Sequence, residues 1–388
     1  MRVLLFIFLA CVFTPLLLQF SAPKQRLFFS VDEKIEAPKP VANSQPLPAT
    51  YRQQFASSGA TPEVHSAVQV SLSNGNMRAF WYGGKREGAK DVSIYSAELD
   101  LLTNEWRDER VVVERHDISR QLGIYLRKIG NPVAMRDDNG RIWLFFVTVS
   151  VGGWAGSSIN FIISEDEGLS WSQPTRLMTS PLLNLSTLVK GEPFLYRDGS
   201  IGLPVYHELM GKFGELLYVS SNGQVLDKQR LTSGRKSLQP IILPRDEGSA
   251  LVYMRNATDL ADSTLFETST NDGGRSWSKA TLSDLPNPNA AVSGLRLNSG
   301  ALLLVGNNQH DKRNNLSLLF SDNNGQKWHL LREFEQENNT PDVEHEFAYP
   351  ALRKSADGEF HVLYTWNKKR IKHIRFNSQW LRERVESL

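Results

Sequence analysis

One eight-residue phrase constrains this chain more than any other feature. It has the form Ser/Thr-x-Asp-x-Gly-x-x-Trp and reads Ser164-Glu-Asp-Glu-Gly-Leu-Ser-Trp171, Thr270-Asn-Asp-Gly-Gly-Arg-Ser-Trp277 and, with Asn for Asp, Ser321-Asp-Asn-Asn-Gly-Gln-Lys-Trp328. Each copy follows an apolar run and precedes a shorter one. Asp or Asn bonds the backbone two residues on, and Gly supplies positive φ, so each copy predicts a β-hairpin turn. The Trp is expected to fold back over that turn and bury a large apolar area. A single copy is a generic hairpin; recurrence at blade-sized intervals predicts a repeat architecture.

The rest of the chain keeps the same phase. Strands begin near His65, Asn131, Glu192, Gln239, Asn289 and Tyr349, and each is followed by a turn: Asn74-Gly75, Asn139-Gly140, Asp198-Gly199, Glu247-Gly248, Ser299-Gly300 and Asp357-Gly358. Such turns are strong hairpin signals. A more apolar second strand follows every turn, and a third runs into an Asp-box or, after Ser96 and Ser220, a degenerate version of one. The result is six units of about 45–65 residues with no helical period of useful length between them. One such sheet cannot bury both faces, but a closed ring of them can. The fold class is therefore all-β, a six-bladed β-propeller over residues 51–388. Its last blade is expected to borrow a strand from the N-terminal segment, with Gln25–Ser30 one candidate.

The repeated phrase resembles the Asp-box (BNR) repeat of sialidase-like β-propellers. Within that superfamily the chain is similar to predicted bacterial neuraminidase-like proteins, from about Val64 to the C-terminus.

Met1-Arg2 precedes an apolar run from Val3 to Phe20. Residues 1–22 thus read as an export signal or a retained membrane anchor. Phe20 stands where signal cleavage wants a small residue, and both readings stay open. Residues 23–50, with Pro23, Pro38, Pro40, Pro46 and Pro48, read as a linker. The expected location is outside the cytoplasm: periplasmic, tethered to the inner membrane, or secreted. Cys11 is the only cysteine, which excludes disulfides and thiol catalysis from the exported part. The net charge of +2 gives no sign of a nucleic-acid partner. There is no metal-ligand spacing, phosphate loop or serine elbow, so neither metal nor cofactor is expected.

In a propeller, the loops that enter the first strand and leave the second surround one mouth of the channel. Here those points are polar: His65, Arg86, Asn131, Glu192, His207, Glu208, Gln239, Arg255, Asn308 and Glu346. Each alone reads equally as a solvated strand end, but the set suits a sugar. The resemblance adds roles. Asp91, in the charged loop after Gly83-Gly84, matches the sialidase acid/base aspartate. Tyr349 matches the nucleophilic tyrosine, and Arg255 one of three arginines that hold the sialic acid carboxylate. Three departures stand beside these matches. His65 stands near the place of the first-blade arginine, Gln239 replaces the glutamate partner of the tyrosine, and Asn308, with Arg313 nearby, occupies the fifth-blade arginine region. Glu192 would then supply the missing base. The implied function is a sialidase-like exo-glycosidase acting on an acidic terminal sugar of a glycan or glycoconjugate. A non-catalytic carbohydrate-binding propeller and a uronate-specific polysaccharide lyase using Tyr349, His207 and Arg255 are the alternatives.

Overall fold

The computed structural model describes residues 27–31, 48–180, 184–258, 260–337 and 345–388. The proposed signal or anchor and most of the proposed linker lie outside them. Six antiparallel sheets are arranged as blades. The first holds Glu63–Ser71, Met77–Gly84, Ser93–Asp100 and Glu105–Glu114; the second Lys128–Arg136, Ile142–Val149, Ser157–Ser164 and Thr175–Arg176. The fourth runs from Ser237–Pro244 to Thr281–Pro286 and the fifth from Ser293–Arg296 to His329–Glu335. In the third, the innermost strand is broken. Two short pieces, Leu188–Val189 and Phe194–Leu195, flank Glu192 and pair with Ile201–His207.

The last blade comprises Phe347–Lys354, Phe360–Trp366 and Arg370–Phe376, and a strand from the other end of the chain completes it. That strand is Tyr51–Phe55, with Tyr51 opposite Phe376 and Phe55 opposite Lys372. The borrowed strand is thus present, but it is not the Gln25–Ser30 segment. The described part of that segment lies against the third blade, where Phe29 bridges Tyr196. The reason is aromatic packing: Phe29 is fully buried against Tyr196 and Phe194, with ring centroids 5.3 and 5.5 Å away.

Six buried apolar clusters sit one at each blade interface. Strands with both faces covered need near-continuous apolar runs, and Ile142–Val149 and Met77–Gly84 are buried along their whole length. The interface between the last and first blades has a small apolar cluster and is reinforced by polar contacts. Gln69 Nε2 donates to the carbonyls of Ala351 (3.1 Å) and His361 (2.9 Å). Trp106 Nε1 donates to His373 Nδ1 (3.2 Å), which fixes the tautomers that follow. His373 Nε2–H then donates to His361 Nδ1 (3.0 Å), and His361 Nε2–H to Ser355 Oγ (2.9 Å).

The Asp-boxes form the expected turns. Ser164 Oγ accepts the Gly168 amide (2.7 Å), and Asp166 Oδ1 accepts the Ser170 amide (2.8 Å). Hydrogen bonds from Ser170 hold the Asp166 carboxyl below the usual range, at about 2. The tryptophans reach farther than their own turns. Trp171 packs edge-on against Phe80 of the preceding blade (5.8 Å), and Trp328 Nε1 donates to Tyr253 OH of its preceding blade (3.2 Å). They act as rivets between blades.

Among the described residues two short α-helices depart from the expectation of an all-strand ring. Arg115–Leu122 links the first two blades and ends on Gly123 in the left-handed region (φ 65°). Ser378–Glu386 is capped by Asn377, whose side chain accepts the Trp380 amide, and it buries Trp380 and Leu381. Neither carries the apolar pattern over enough turns to stand out in the sequence. Among the described residues no helix is long and apolar enough to cross a membrane.

Candidate functional site

The residues at the channel mouth owe their placement to a repeated backbone device. Ser66, Asn131, Gln239, Asn289 and Tyr349 are non-glycine residues with φ between 47° and 54°. Four of them stand at register shifts in the innermost strand, between His65 and Val68, Gly130 and Val133, Leu238 and Ile241, and Ala348 and Ala351. Asn289 stands just ahead of its strand, Ser293–Arg296. A β-bulge of this kind re-aims a side chain, and left-handed backbone at a non-glycine residue costs about 1–3 kcal/mol. The cost recurs in five blades of the ring: in four it falls on the residue offered to the mouth, and in the first on Ser66, next to His65.

Tyr349 stands at the centre. Arg255 Nη1 reaches its phenol oxygen at 3.5 Å. The same guanidinium is held by Asn289 Oδ1 (Nε, 2.6 Å) and Gln239 Oε1 (Nη1, 3.0 Å). Tyr206 OH accepts from Asn131 Nδ2 (3.1 Å) and Gln239 Nε2 (3.5 Å). Residues of the second, third, fourth, fifth and sixth blades thus form one hydrogen-bonded array. The first blade contributes His65, whose ring lies edge-on to Tyr349 (4.4 Å) and to Tyr82 (5.6 Å).

His65 is buried, and its Nδ1 has no hydrogen-bond partner. Burial, joined by the charges of Lys368, Arg313, Lys190 and Arg255, pushes its pKa down to about 3, so the ring is neutral. Those four cations come from four different blades. Lys190 donates to the Pro350 carbonyl (3.4 Å) and lies 5.8 Å from the centre of the Tyr349 ring. Burial lowers its pKa to about 8, against the opposing pull of Glu192. Arg313 and Lys368 share the carboxylate of Glu346, at 3.3 and 2.8 Å.

The remaining candidates are distributed as follows. Glu192 lies within the channel, a quarter of its side chain accessible, and its partners are Arg353 (3.6 Å) and Lys190. Burial raises its pKa despite both cations. No contact joins it to Tyr349 among the described residues. Glu208 stands at the mouth with its amide on Ser186 Oγ (2.9 Å). Burial raises its pKa, and Lys212, Arg255 and Lys128 oppose that rise. His207 turns aside, stacking on Phe213 (4.7 Å) and accepting the Met210 amide (3.1 Å). Arg86 lines a small pocket with Glu63, His65, Tyr82, Glu87 and Lys368. Asp91 accepts the Lys85 amide (3.1 Å) and faces Tyr95 on the third strand of its blade. It makes no contact with Tyr349 or Arg255 among the described residues. Asn308 lines a groove of about 470 Å³ between the fourth and fifth blades, with Leu282, Asp284 and Trp328.

Sequence reasoning did not single out Lys190, Lys368 or Tyr82. The phase of the repeat was the available signal. Each of the five left-handed residues is followed by Pro or Ala (Ser66-Ala67, Asn131-Pro132, Gln239-Pro240, Asn289-Ala290, Tyr349-Pro350), and Lys190 precedes Glu192-Pro193 at the equivalent place. Among the described residues no three His, Cys, Asp or Glu side chains gather as a metal site.

The family model for the BNR repeat-like domain matches residues 75–362. The chain belongs to this family. No curated protein matches it. Among solved structures, a Hadza microbial sialidase, Hz136, superposes with a TM-score of 0.67 at 15% identity over 82% of this chain and 66% of that one. The intramolecular trans-sialidase of Ruminococcus gnavus gives 0.65 at 13%, covering 84% and 97%. A protein of unknown function from Dyadobacter fermentans gives 0.67 at 12%, covering 84% and 99%. These likenesses establish a sialidase-like six-bladed propeller.

Proposed function

We propose that this BNR-repeat propeller is a sialidase-type glycoside hydrolase that removes an acidic sugar from the end of a glycan. The observation that carries the reading is the convergence of Lys190, Arg255, Arg313 and Lys368 on His65, with Arg255 and Lys190 also reaching Tyr349. Glu346 is shared by Arg313 and Lys368 and Glu192 opposes Lys190; an anion at the mouth would meet the remaining cationic groups, Arg255 first. Arg255, held flat by Asn289 and Gln239, is set for a carboxylate. Tyr349 faces the position where positive charge would develop on the sugar ring, and its oxygen stabilises that charge until water attacks the ring. Glu208, whose pKa burial raises against Lys212, Arg255 and Lys128, donates a proton to the leaving oxygen. The test is a panel of acidic glycosides with free sugar as readout. Turnover that Tyr349→Phe and Arg255→Met abolish supports the reading; saturable binding without release by the wild-type protein would leave only a carbohydrate-binding module.

One observation favours a second reading, β-elimination from a uronic acid. The phenol of Tyr349 has no carboxylate partner among the described residues, while the unpartnered, neutral His65 lies against it. In that chemistry the neutral His65 would take the proton next to the carboxylate that Arg255 neutralises, the C=C bond would form as the bond to the leaving oxygen breaks, and the Tyr349 phenol would give that oxygen its proton. An unsaturated product absorbing in the ultraviolet separates the two readings.

A further inference from the structure

The two described pieces of chain ahead of the propeller both lie on the face opposite the mouth. Leu27–Val31 is laced to the turns at the lower ends of the third and fourth blades. The Phe29 amide donates to the Glu247 carbonyl (2.8 Å), the Ser30 amide to Leu195 (2.9 Å), and the Arg197 amide to Phe28 (2.9 Å). Phe29 is buried among Tyr196, Leu216, Ile242 and Met254, which makes the strap part of an inter-blade core. A Cβ at Gly273 would stand 2.1 Å from the Leu27 carbonyl oxygen, so the turn of the second Asp-box is shaped to let the strap pass. Farther on, Thr50 bonds Asn377 below the last blade, and Tyr51–Phe55 then climbs toward the mouth. The chain therefore reaches the propeller from below.

The apolar run Val3–Phe20 ends only a few residues before this strap. Those residues, fully extended, span at most about 20 Å. We propose that Val3–Phe20 remains in a lipid bilayer and that the Phe29 strap holds the propeller with its lower face toward that bilayer. The mouth then opens away from the membrane. The inner strands Glu63–Ser71 and Lys128–Arg136 have nine residues each, which sets the mouth about 30 Å above the lower face. The glycan is thus taken from the surrounding compartment or a wall polymer, and lipid headgroup sugars are out of reach. The lower face needs no affinity for lipid. Its turns pair Asp137 with Arg141, Glu247 with Arg197 and Asp357 with Arg375, a mixed surface, so the tether and not adhesion sets the orientation.

The test needs no enzymatic activity, and its failure is separable from that of the glycosidase reading. With Cys11 replaced by Ser, a fluorophore is placed on Ser299→Cys, in a lower turn, or on Lys85→Cys, at the mouth, in the full chain reconstituted into phosphatidylcholine vesicles. Headgroup spin-labelled lipid should quench the lower site several-fold more than the upper. Equal quenching, or stronger quenching at the mouth, overturns the proposal. So does recovery of the chain from cells free of membrane with its N-terminus beyond Phe20. Phe29→Asp, folded by circular dichroism, should bring the two sites to similar quenching; an undiminished difference would remove the strap from the account.

Discussion

Acid should open the ring at the seam between its last and first blades. His361 and His373 accept hydrogen bonds on Nδ1 there, from His373 and Trp106, and both must be neutral to do so. Burial pushes the pKa of His361 from 6.5 down to about 3, and that of His373 well below its ordinary value. With the folded pKa depressed, the stabilisation is fully present above pH 6.5 and drains away as pH falls toward 3. At pH 4.5 the unfolded His361 is protonated and the folded one is not, a gap of about two units. At about 1.4 kcal/mol per unit this is on the order of 3 kcal/mol. A domain has about 5–15 kcal/mol in total. Urea denaturation at a series of pH values measures it. The wild-type protein should lose stability steeply between pH 6 and 4.5, and His361→Gln should lose it with a slope smaller by about one proton. The raised carboxyls Glu208 and Glu215 are common to both proteins and cancel in the comparison. Parallel slopes for the two would refute the reasoning.

Other outcomes are expected. Gln69→Leu strands the Ala351 and His361 carbonyls at the same seam and should cost about 2 kcal/mol, read as a lowered midpoint in urea with an unchanged m-value. Glu208→Gln should reduce kcat by about 10²–10⁴-fold, whereas Asp91→Asn, which alters a carboxylate engaged with the Lys85 amide, should leave kcat within a few-fold; the reverse ranking would return the acid to Asp91. The cationic cup should weaken as Lys190 loses its proton above about 8, so KM for an acidic substrate should rise through that pH, and Lys190→Met should raise KM at neutral pH and flatten the rise.

The ring was legible because its signals are local and repeated. Asn-Gly and Asp-Gly turns, apolar second strands and three Asp-boxes each have a mechanism within a few residues. The register at which Tyr51–Phe55 closes the last blade was not legible, since nothing local in Gln25–Ser30 says that Phe29 prefers the pocket made by Phe194 and Tyr196. The site divides in the same way. Tyr349 and Arg255 could be placed at one mouth from blade phase alone, and their oxygen and guanidinium do meet. The side-chain directions of Asp91, His207 and Asn308 depended on loop detail such as the Lys85 amide and the Phe213 ring. Lys190 lies in the break of the third blade's inner strand, where only the phase of Glu192-Pro193 against the other blades marks the channel side.

The strand Tyr51–Phe55 has a consequence during synthesis. It leaves the ribosome before any blade, yet its partner Arg370–Phe376 is made about 320 residues later. At about 5–20 residues per second it waits for roughly 15–65 s with its backbone unpaired. Its central residues Arg52, Gln53 and Gln54 are polar, which discourages a stray sheet from recruiting it in the interval. The finished ring can be sealed only by the newest segment meeting the oldest, so an unfinished chain stays open.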